Sequence, residues 1–498
     1  MVIYVLSSIP EYSNELTELV RVFYPGIVTK SADSDFTNYL KNDLIIVCNH
    51  ENVNGLHKDI KITIQFLKDR KIEPFHTKHC LFNSEAKESH FRRDLKNKTK
   101  LLLYEALVEV KGYDLEWGSL TGVRPVGIVH NLMDRGLDSS HIQETLYSDY
   151  RISKQKAKLI LDIARIQRPY FAYNNPNQVS IYINIPICTT KCFFCSFPSA
   201  ILAQCAYLVD DYILALDKEM GVMAKLAREK GISIQTVYIG GGTPTSLNLT
   251  QLNAVLSSVK ENWGENTLME YTVEGGRPDT MDKAKLELLK DYKVSRISIN
   301  PQTMNDRTLK LIGRNHNSVE IIKCFNMAKE IGFNSINMDV IVGLPGEGIE
   351  ESQKTMASII DLKPDNFTVH ALAIKRASRL KENIYFFSSA EVKVAKKMMD
   401  IYYQGAESMG MRPYYLYRQK YMLGNMENIG FALPGKESVY NIQMMEDRQT
   451  VWAFGAGAIS KFYFSEENRI ERAPNVKNIE EYIKRIDEMI DRKMKLTL

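Results

Sequence analysis

The sequence lacks three features that would place the protein in a membrane, outside the cell or on a nucleic acid. No apolar run approaches the ~20 residues that a membrane-spanning helix needs. The net charge is only +4 over 498 residues, too close to neutral for bulk attraction to nucleic acid or lipid. The opening segment, MVIYVLSSIPEYSNE, has no basic stretch before its apolar one, unlike a secretory signal peptide. We expect a cytoplasmic protein with no nucleic-acid partner and no membrane span.

Cysteine is also scarce. There are seven, an odd number without the spacing of a disulfide-rich secreted domain. Four of them share no short spacing with one another: Cys48, Cys80, Cys205 and Cys324. The pattern excludes a disulfide framework and indicates a reducing environment.

Length and composition indicate several globular domains. At ~150 residues per domain the chain would form roughly three, and its hydrophobic (44%) and charged (25%) contents are ordinary for globular proteins. Turn-rich stretches and changes of pattern divide it further. The predicted segments are an N-terminal α+β region of unknown role, a helical module with a linker, an α/β barrel and a C-terminal, helix-rich domain covering the substrate, at 1–111, 112–178, 179–376 and 377–498.

Strands alternate with helices throughout the third segment. Its six strand-like runs are SIYINIP, TVYIGGG, LMEYTVEGG, RISINPQ, SINMDVIVGLPG and NFTVHALAI. Strands separated by helices of ten or more residues are typical of βα units in a parallel sheet. We therefore predict a partial (β/α)6 barrel, with its chemistry at the carboxyl ends of the strands.

Three cysteines lie just after the first of these strands, in YINIPICTTKCFFCSF. Cys188, Cys192 and Cys195 have the spacing C-x3-C-x2-C. Three thiolates on one loop can hold three irons of a [4Fe–4S] cluster and leave the fourth iron open. The amino and carboxylate groups of S-adenosylmethionine (SAM) can chelate such an iron. The alternative is a set of buried or zinc-bound cysteines, but zinc usually takes four ligands in paired sets, and the sequence has no second pair.

Polar residues mark the ends of the later strands. The run Gly240–Pro244 follows the second strand, and glycine lets backbone approach a ligand closely. Glu274 ends the third strand and Asp339 lies in the fifth, where a carboxylate can accept from ribose hydroxyls. Gln302 ends the fourth strand, and Arg314, farther along, can pair with a carboxylate. Each alone is more typical of a turn, a surface residue or an ion pair, but together they predict one ligand site.

These motifs resemble the radical SAM superfamily. Within it, YINIPxCxxxCxxC, GGGTPT, the Glu, the Gln with its downstream Arg, and MDxIxGLPGE resemble oxygen-independent coproporphyrinogen III oxidase and its relatives over about 180–375. Flanking segments such as LTGVRPVGIVHNLMDRGL and GAGAISK are similar to the HemZ-type branch, named coproporphyrinogen dehydrogenase. The resemblance implies a [4Fe–4S] cluster and one or two molecules of SAM as cofactors.

The resemblance also implies roles for individual residues. Cys188, Cys192 and Cys195 would ligate the metal cluster and, with Tyr182, form the catalytic set. The positions that match SAM contacts in the family are Tyr182, Phe194, Gly241, Gly242, Thr243, Glu274, Gln302, Arg314 and Asp339.

The implied activity is that of an oxidoreductase in anaerobic heme and porphyrin biosynthesis. Two propionates of coproporphyrinogen III would be converted to vinyls by oxidative decarboxylation, giving protoporphyrinogen IX. The reaction needs an electron donor, such as flavodoxin or ferredoxin, and an acceptor that the sequence does not identify. Two alternatives are a radical SAM methyltransferase that opens the heme ring and a heme-binding delivery protein. The HNxxYW-type motif of the heme-chaperone relatives is absent from KESVYNIQMMED, which argues against delivery.

Basic residues after the sixth strand are candidates for binding the propionates. They occur in AIKRASRL and YLYRQK. Arginine can hold a carboxylate with two parallel hydrogen bonds, whereas lysine acts as a point charge. We therefore predict that Arg376 and Arg418 contact the substrate; the alternative is a solvated basic face.

Overall fold

A computed structural model describes residues 2–31, 43–54, 57–68, 71–83, 88–121, 124–171, 177–264, 268–373, 389–420 and 422–497. The chain forms two compact units. The first comprises Met1–Ala164, Ile384–Lys393 and Arg418–Glu427, and the second comprises Arg165–Asn383, Val394–Tyr417 and Asn428–Leu498. None of the helices in the described ranges combines the length and apolar composition needed to cross a bilayer.

The first unit is built on a five-stranded sheet. Its strands are β1 (Val2–Ser7), β2 (Val28–Ser31), β3 (Leu44–Asn54), β4 (His57–Lys68) and β5 (Lys71–Asn83), in the order β2-β1-β3-β4-β5. Its helices are α1 (Ser13–Phe23), α2 (Glu88–Lys111), α3 (Pro125–Asp134), α4 (Ser139–Tyr150) and α5 (Lys154–Phe171), the last of which continues into the second unit. Alternate residues of β4 (Ile60, Ile62 and Ile64) are fully buried, as expected for a strand with one face on a core.

The second unit contains the remaining elements, except that the first residues of helix α13 (Ser389–Ser408), up to Lys393, belong to the first unit. Its strands are β6 (Gln178–Ile185), β7 (Ile187–Cys188), β8 (Ala200–Ile201), β9 (Ser233–Gly241), β10 (Glu270–Glu274), β11 (Arg296–Ser298), β12 (Ser335–Val342), β13 (Asn366–Ala371), β14 (Arg412–Tyr417), β15 (Asn428–Ala432), β16 (Val451–Phe454), β17 (Ile459–Phe464) and β18 (Arg469–Pro474). Its helices are α6 (Leu202–Cys205), α7 (Val209–Lys230), α8 (Leu249–Trp263), α9 (Lys283–Asp291), α10 (Asp306–Leu311), α11 (Ser318–Ile331), α12 (Ile349–Leu362), α13 (Ser389–Ser408), α14 (Val439–Glu446), α15 (Ile479–Lys484) and α16 (Ile486–Thr497).

The barrel strands form the centre of an 11-stranded sheet, in the order β14-β15-β13-β12-β11-β10-β9-β6-β16-β17-β18. The six barrel strands, β6, β9, β10, β11, β12 and β13, run parallel to one another, which confirms the predicted partial (β/α)6 barrel. Ile181, Ile183 and Ile185 of β6 are fully buried, because a parallel strand covered by helices has little contact with water. Helix α7 ends where Gly231 takes a left-handed conformation (φ 63°), which glycine adopts without steric cost.

The C-terminal region supplies helices α13 to α16, as predicted, and also five strands that the sequence did not predict. β15 runs antiparallel to β13, and β16 runs parallel to β6, with Val451 paired to Ser180. β6 therefore lies inside the sheet, between β9 and β16. The strand that leads into the three cysteines is fixed on both sides.

Candidate functional site

The three cysteines lie on one loop that connects β6 to α6. β7 and β8 pair at its base, where Cys188 is opposite Ile201. Within the loop, the Cys195 N–H donates to the Cys192 carbonyl at 3.1 Å. Cys188 is buried and the other two thiols are half-buried. The loop therefore holds all three thiols in one short, internally bonded segment.

Hydrogen-bond donors from two other strand ends contact these thiols. Thr243 Oγ1 donates to Cys188 Sγ at 3.6 Å, and Arg277 Nη1 lies within hydrogen-bonding distance of Cys192 Sγ at 3.9 Å. Burial raises the pKa of the Cys195 thiol. A donor or a cation beside a sulfur favours the thiolate, which is the form that binds iron.

The donor set fits an iron–sulfur cluster better than a single metal ion. Across the described ranges, no group of three or more His, Cys, Asp or Glu side chains is placed to hold one metal ion. In a [4Fe–4S] cluster each thiolate binds a different iron, so the sulfurs need not converge on one point. Three thiols on one loop, with donors beside two of them, meet that requirement.

Arg277 and His316 are buried beside the cysteine loop, and both contact Asp279, whose side chain is 19% exposed. Arg277 Nε donates to Asp279 Oδ1 at 3.2 Å, and His316 Nδ1 lies 3.1 Å from the same oxygen. Burial by itself would raise the pKa of the Asp279 carboxyl, but His316 and Arg277 outweigh it and lower that pKa to about 2. The carboxylate is therefore ionised across the physiological range and holds both neighbours in place.

The glycine run after β9 leaves no room for side chains. Gly241 has a φ of +109°, and a Cβ there would collide with the amide oxygen of Asn184. A Cβ on Gly242 would lie 2.6 Å from the Ile187 carbonyl oxygen, and the Gly242 N–H donates to the Ile185 carbonyl at 2.9 Å. Glycine is required here because the segment packs directly against the strand that carries the cysteine loop.

Glu274 lies at the carboxyl end of β10 and contacts the glycine run. Its carboxyl accepts from Tyr238 Oη at 2.5 Å and from the Gly241 N–H at 3.3 Å. Burial raises the pKa of Glu274 to about 7, assisted by the negative charge of Asp339 and opposed by the two hydrogen bonds. Glu274 is thus poised between its neutral and charged forms at neutral pH.

The pKa of Asp339, on β12, is shifted in the opposite direction to that of Glu274. Its Oδ1 accepts from Asn337 Nδ2 at 2.8 Å, and its Oδ2 lies 3.7 Å from His370 Nε2. Burial would raise the pKa of Asp339, but His370 and Asn337 outweigh it, so the pKa lies below its ordinary value. Asp339 therefore stays charged where Glu274 can be neutral.

Gln302 and Arg314 are held mainly by backbone groups. Gln302 has a φ of +67°, and its N–H donates to the Asp339 carbonyl at 2.9 Å. Arg314 Nη1 donates to the carbonyls of Gly276 and Asn300 at 3.0 and 3.2 Å. Arg314 Nε is buried and has no hydrogen-bond partner within the described part of the chain. A positive φ in a residue other than glycine is unfavourable and is common at functional sites.

Three tyrosines from distant parts of the sequence stack inside the barrel. Tyr182 of β6 is opposite Tyr238 of β9, with ring centroids 6.1 Å apart. Tyr440 of α14 stacks on Tyr238 with centroids 4.4 Å apart. Burial raises the pKa of Tyr182 well above the ordinary value, so its hydroxyl stays protonated at neutral pH. Tyr182 Oη donates to Asn184 Oδ1 at 3.2 Å.

The remaining predicted residues lie outside this group. Phe194 is a half-buried residue of the cysteine loop. Arg376 lies outside the described residues. Arg418 belongs to the first unit, where its guanidinium donates to the carbonyls of Leu120 and Asn425 and lies over the ring of Trp117. The site prediction for Arg376 and Arg418 stays a prediction.

Sequence reasoning gives no role to four residues that the structure places at the site: Tyr238, Arg277, Asp279 and Tyr440. The sequence does contain a signal for Tyr238, because the strands SIYINI and TVYIGG each carry a tyrosine at the same distance from the strand end. Arg277 follows Glu274 by three residues in VEGGRPD, but a charged residue in a loop does not reveal its partner. Tyr440 comes from beyond the sixth strand, and its position depends on tertiary packing alone.

The chain is similar in sequence and in structure to known proteins. The family model "Radical SAM superfamily" matches residues 182–359. The chain is 36% identical over 432 residues to the "Oxygen-independent coproporphyrinogen-III oxidase-like protein HemZ" of Bacillus subtilis, with 86% of each chain covered. It is 30% identical over 283 residues to the "Heme chaperone HemW" of the same organism, covering 56% of this chain and 70% of that protein.

A solved structure, that of coproporphyrinogen III oxidase (HemN) from Escherichia coli, superimposes with a TM-score of 0.52. The sequence identity is 23%, and the alignment covers 66% of this chain and 73% of that one. At this identity the likeness shows a shared fold.

Proposed function

Because the chain belongs to the radical SAM superfamily and, within it, to the family of HemZ-like proteins related to oxygen-independent coproporphyrinogen III oxidase, we propose that it acts on a tetrapyrrole. The proposed reaction is the oxidative decarboxylation of coproporphyrinogen III propionates to vinyls, giving protoporphyrinogen IX. The protein would thus be an oxidoreductase that works without oxygen.

Membership of the superfamily gives the chain its two cofactors, a [4Fe–4S] cluster and SAM, as the cysteine spacing predicted. We propose that Cys188, Cys192 and Cys195 hold the cluster and leave its fourth iron for SAM. When bound, these cofactors supply a radical that removes a hydrogen atom from the substrate. The protein itself contributes binding, orientation and the exclusion of water.

The residues at the strand ends are proposed to orient SAM. Backbone groups of the glycine run can approach the ligand because no side chain intervenes. The ionised Asp339 can accept from ribose hydroxyls, and Arg314 can pair with the methionyl carboxylate through its unpaired Nε. Glu274, held by Tyr238 and Gly241, can accept a hydrogen bond when charged and donate one when neutral.

The observation that carries the substrate proposal is the identity of 36% over 432 residues to the HemZ protein. This match is more than twice as long as the 178-residue stretch matched by the superfamily model, so it includes much of the flanking sequence. The cofactor site alone would not select a tetrapyrrole, since the same barrel ends serve many reactions. Arg376 and Arg418 remain the proposed propionate contacts, with flavodoxin or ferredoxin as donor and an unidentified acceptor.

The test is product analysis under anaerobic conditions. Reconstituted protein is incubated with SAM, dithionite and coproporphyrinogen III, and the products are identified by mass spectrometry. The proposal expects 5′-deoxyadenosine and methionine to form in a substrate-dependent manner, and a porphyrinogen that lacks one CO2 and two hydrogen atoms for each converted propionate. A methylated, ring-opened pigment would contradict it, and so would SAM cleavage at a rate that does not depend on added substrate.

A second candidate function is heme delivery, favoured by the similarity to the HemW heme chaperone over 70% of that protein's length. Heme titration followed by absorbance separates the two functions. A delivery protein would bind heme tightly and show no substrate-dependent SAM cleavage. The segment KESVYNIQMMED, which lacks the HNxxYW-type motif of the heme chaperones, contains α14. Tyr440 of this helix packs on Tyr238 in the barrel, so the segment has a structural role of its own.

A further inference from the structure

Arg277 connects the end of the third barrel strand to the cysteine loop. It lies three residues beyond β10, and its side chain is 3% exposed. Its Nη1 donates to the Thr190 carbonyl at 3.1 Å, and the same nitrogen is 3.9 Å from Cys192 Sγ. Thr190 lies between two of the predicted cluster ligands. One guanidinium group therefore contacts both the backbone and a sulfur of the loop.

The position of this guanidinium is fixed from its other side. Arg277 Nε donates to Asp279 Oδ1 at 3.2 Å, and His316 Nδ1 lies 3.1 Å from that oxygen. The His316 side chain is fully buried. The loop is also held by the residues just after α10, since Thr190 Oγ1 donates to the Gly313 carbonyl at 3.0 Å and the Phe193 N–H donates to the Ile312 carbonyl at 3.1 Å. The arginine cannot swing away from the loop without breaking this arrangement.

The group is incompletely paired in the part of the chain that the structure describes. Arg277 Nη2 and His316 Nε2 are buried there without hydrogen-bond partners, and Asp279 is the one carboxylate that forms an ion pair with Arg277. Burying a cation is costly unless negative charge and acceptors surround it. Thiolates that ligate iron would supply that negative charge beside Cys192.

We propose that Arg277 is a positioning residue for the iron–sulfur cluster, which fixes the cysteine loop and raises the reduction potential of the cluster by hydrogen bonding to the Cys192 thiolate. Reduction adds one electron to the cluster and breaks no bond. A cation and an N–H donor at a ligating sulfur stabilise the added negative charge, and hydrogen bonds to sulfur are a principal control of cluster potential. Asp279 and His316 act through Arg277, because they hold its guanidinium group in place.

The proposal concerns the cofactor shared by the superfamily and does not depend on which tetrapyrrole is the substrate. The experiment therefore uses the reconstituted full chain without substrate. The midpoint potential is measured by titration with dithionite, followed by electron paramagnetic resonance, and iron is counted in each sample. Failure of the decarboxylation assay would leave this measurement unaffected.

Two variants at position 277 separate charge from geometry. Arg277→Gln should lower the equilibrium constant for reduction about tenfold, which is a shift of about 59 mV to more negative potential for one electron. Arg277→Lys keeps the positive charge but loses the planar guanidinium group with its several N–H donors, so its shift in potential should be smaller. The matched control is Arg296→Gln, which removes another buried arginine whose Nη1 donates to Ser335 and Lys436; its potential should equal that of the wild type.

A role limited to holding the loop makes different predictions. Arg277→Gln would then lose iron, while the cluster remaining would keep its wild-type potential; that result, or full iron with an unchanged potential, overturns the proposal. Should Arg277→Gln fail to hold any cluster, His316→Gln decides the question, because it leaves both Arg277 and the charge of Asp279 in place. A shift to more negative potential in this variant supports the proposal, and a wild-type potential overturns it.

Discussion

Two glutamates at opposite ends of one barrel strand show how differently the two ends of the barrel are built. Glu270 begins β10 and Glu274 ends it. At the amino end, the Glu270 carboxyl accepts from Thr272 Oγ1 and Ser438 Oγ at 2.9 Å each, and from the Val439 N–H at 2.7 Å. That carboxylate is part of the fold, because it binds the first residues of α14 to the barrel.

At the carboxyl end, the described residues provide Glu274 with two donors, one of them at 3.3 Å. Burial and the nearby Asp339 raise its pKa to about 7. A carboxyl with spare acceptor capacity and a raised pKa is costly to keep unless a ligand uses it. Glu270 therefore stabilises the fold at the amino end of β10, whereas Glu274 at the carboxyl end keeps hydrogen-bonding capacity that its partners do not use.

The largest effect should come from removing a cluster ligand at the carboxyl end. Cys188→Ala, Cys192→Ala or Cys195→Ala should abolish the broad brown absorbance of the cluster and all SAM cleavage, because three irons need three thiolates. Visible absorbance, iron content and release of 5′-deoxyadenosine measure this.

The control for this prediction is Cys324→Ala or Cys205→Ala. Both cysteines are buried and their thiol pKa values are raised by burial, Cys324 to about 12, so neither is prepared to bind metal. These variants should keep the cluster and its activity. A full [4Fe–4S] spectrum in Cys192→Ala would overturn the ligand assignment.

The next effect concerns the amino end. Glu270→Ala leaves three buried donors without their acceptor, so we expect the free energy of unfolding to fall by about 3–5 kcal/mol. Denaturant titration of the reconstituted protein measures the loss. SAM affinity, measured in conditions where the variant is folded, should stay near the wild-type value. If Glu270→Ala were as stable as wild type and failed to bind SAM, the two ends would not differ as described.

Glu274 should give stability an unusual dependence on pH. The folded protein keeps the Glu274 proton up to about pH 7, whereas the ordinary carboxyl pKa is 4.5. Between these values the unfolded chain binds fewer protons, so the free energy of unfolding falls as pH rises. Glu274→Gln has no proton to lose and should lack this fall, which we expect to be about 3 kcal/mol. Denaturant titrations of both proteins without SAM, at several pH values from 4.5 to 8, test this; parallel curves would refute it.

A smaller effect is expected on SAM binding. Glu274→Ala and Arg314→Ala should each weaken SAM binding roughly tenfold or more, because a hydrogen bond to a charged group contributes about 1.5–3 kcal/mol. Iron content should not change, since neither residue is a cluster ligand. Glu287→Ala, on the exposed surface of α9, is the matched control. Calorimetric titration with SAM measures the affinity, and a wild-type value in either variant would remove that residue from the proposed site.

The smallest effect distinguishes the two arginines predicted to hold propionates. Arg376→Ala should raise the KM for the tetrapyrrole by roughly tenfold, about 1.4 kcal/mol, while slow SAM cleavage without substrate continues. Arg418 has structural partners, as Glu270 does, so Arg418→Ala tests two roles at once. A raised KM supports a propionate contact. Lower stability with an unchanged KM would mean that Arg418 only stabilises the fold of the first unit.

The sequence predicted the barrel and the cluster loop because both depend on local pattern. β-branched runs between amphipathic helices specify the strands from β6 to β13, and the spacing of Cys188, Cys192 and Cys195 is enough to place three thiols on one loop. In the first unit, the sequence pattern at β4 is weaker. IKITIQF alternates with the period of a strand, but it lies between charged residues, HKD before it and Lys68 after it, and Asp and Lys are depleted in strands.

The rest of the site depends on contacts that no local pattern specifies. Tyr440 contacts Tyr238 because α14 packs against the barrel, where Glu270 accepts from the N–H of its first residue and Gln443 donates to Gln235. Arg277 contacts the cysteine loop only because β10 and β6 end on the same side of the sheet. Likewise, β16 is four residues long, and its place beside β6 is set by the parallel pairing of distant segments rather than by its composition.

The pairing of β16 with β6 has a consequence for the way this chain must be made. Asn184 donates to the Ala456 carbonyl, and these residues are 272 positions apart. During synthesis the first barrel strand therefore has one unpaired edge until a segment 272 positions farther along the chain has left the ribosome. Unpaired strand edges are templates for aggregation, and contacts over such distances form slowly. Newly made protein should therefore depend on chaperones for longer than a barrel that closes on its own six strands, and shortening the chain before β16 would expose that edge permanently.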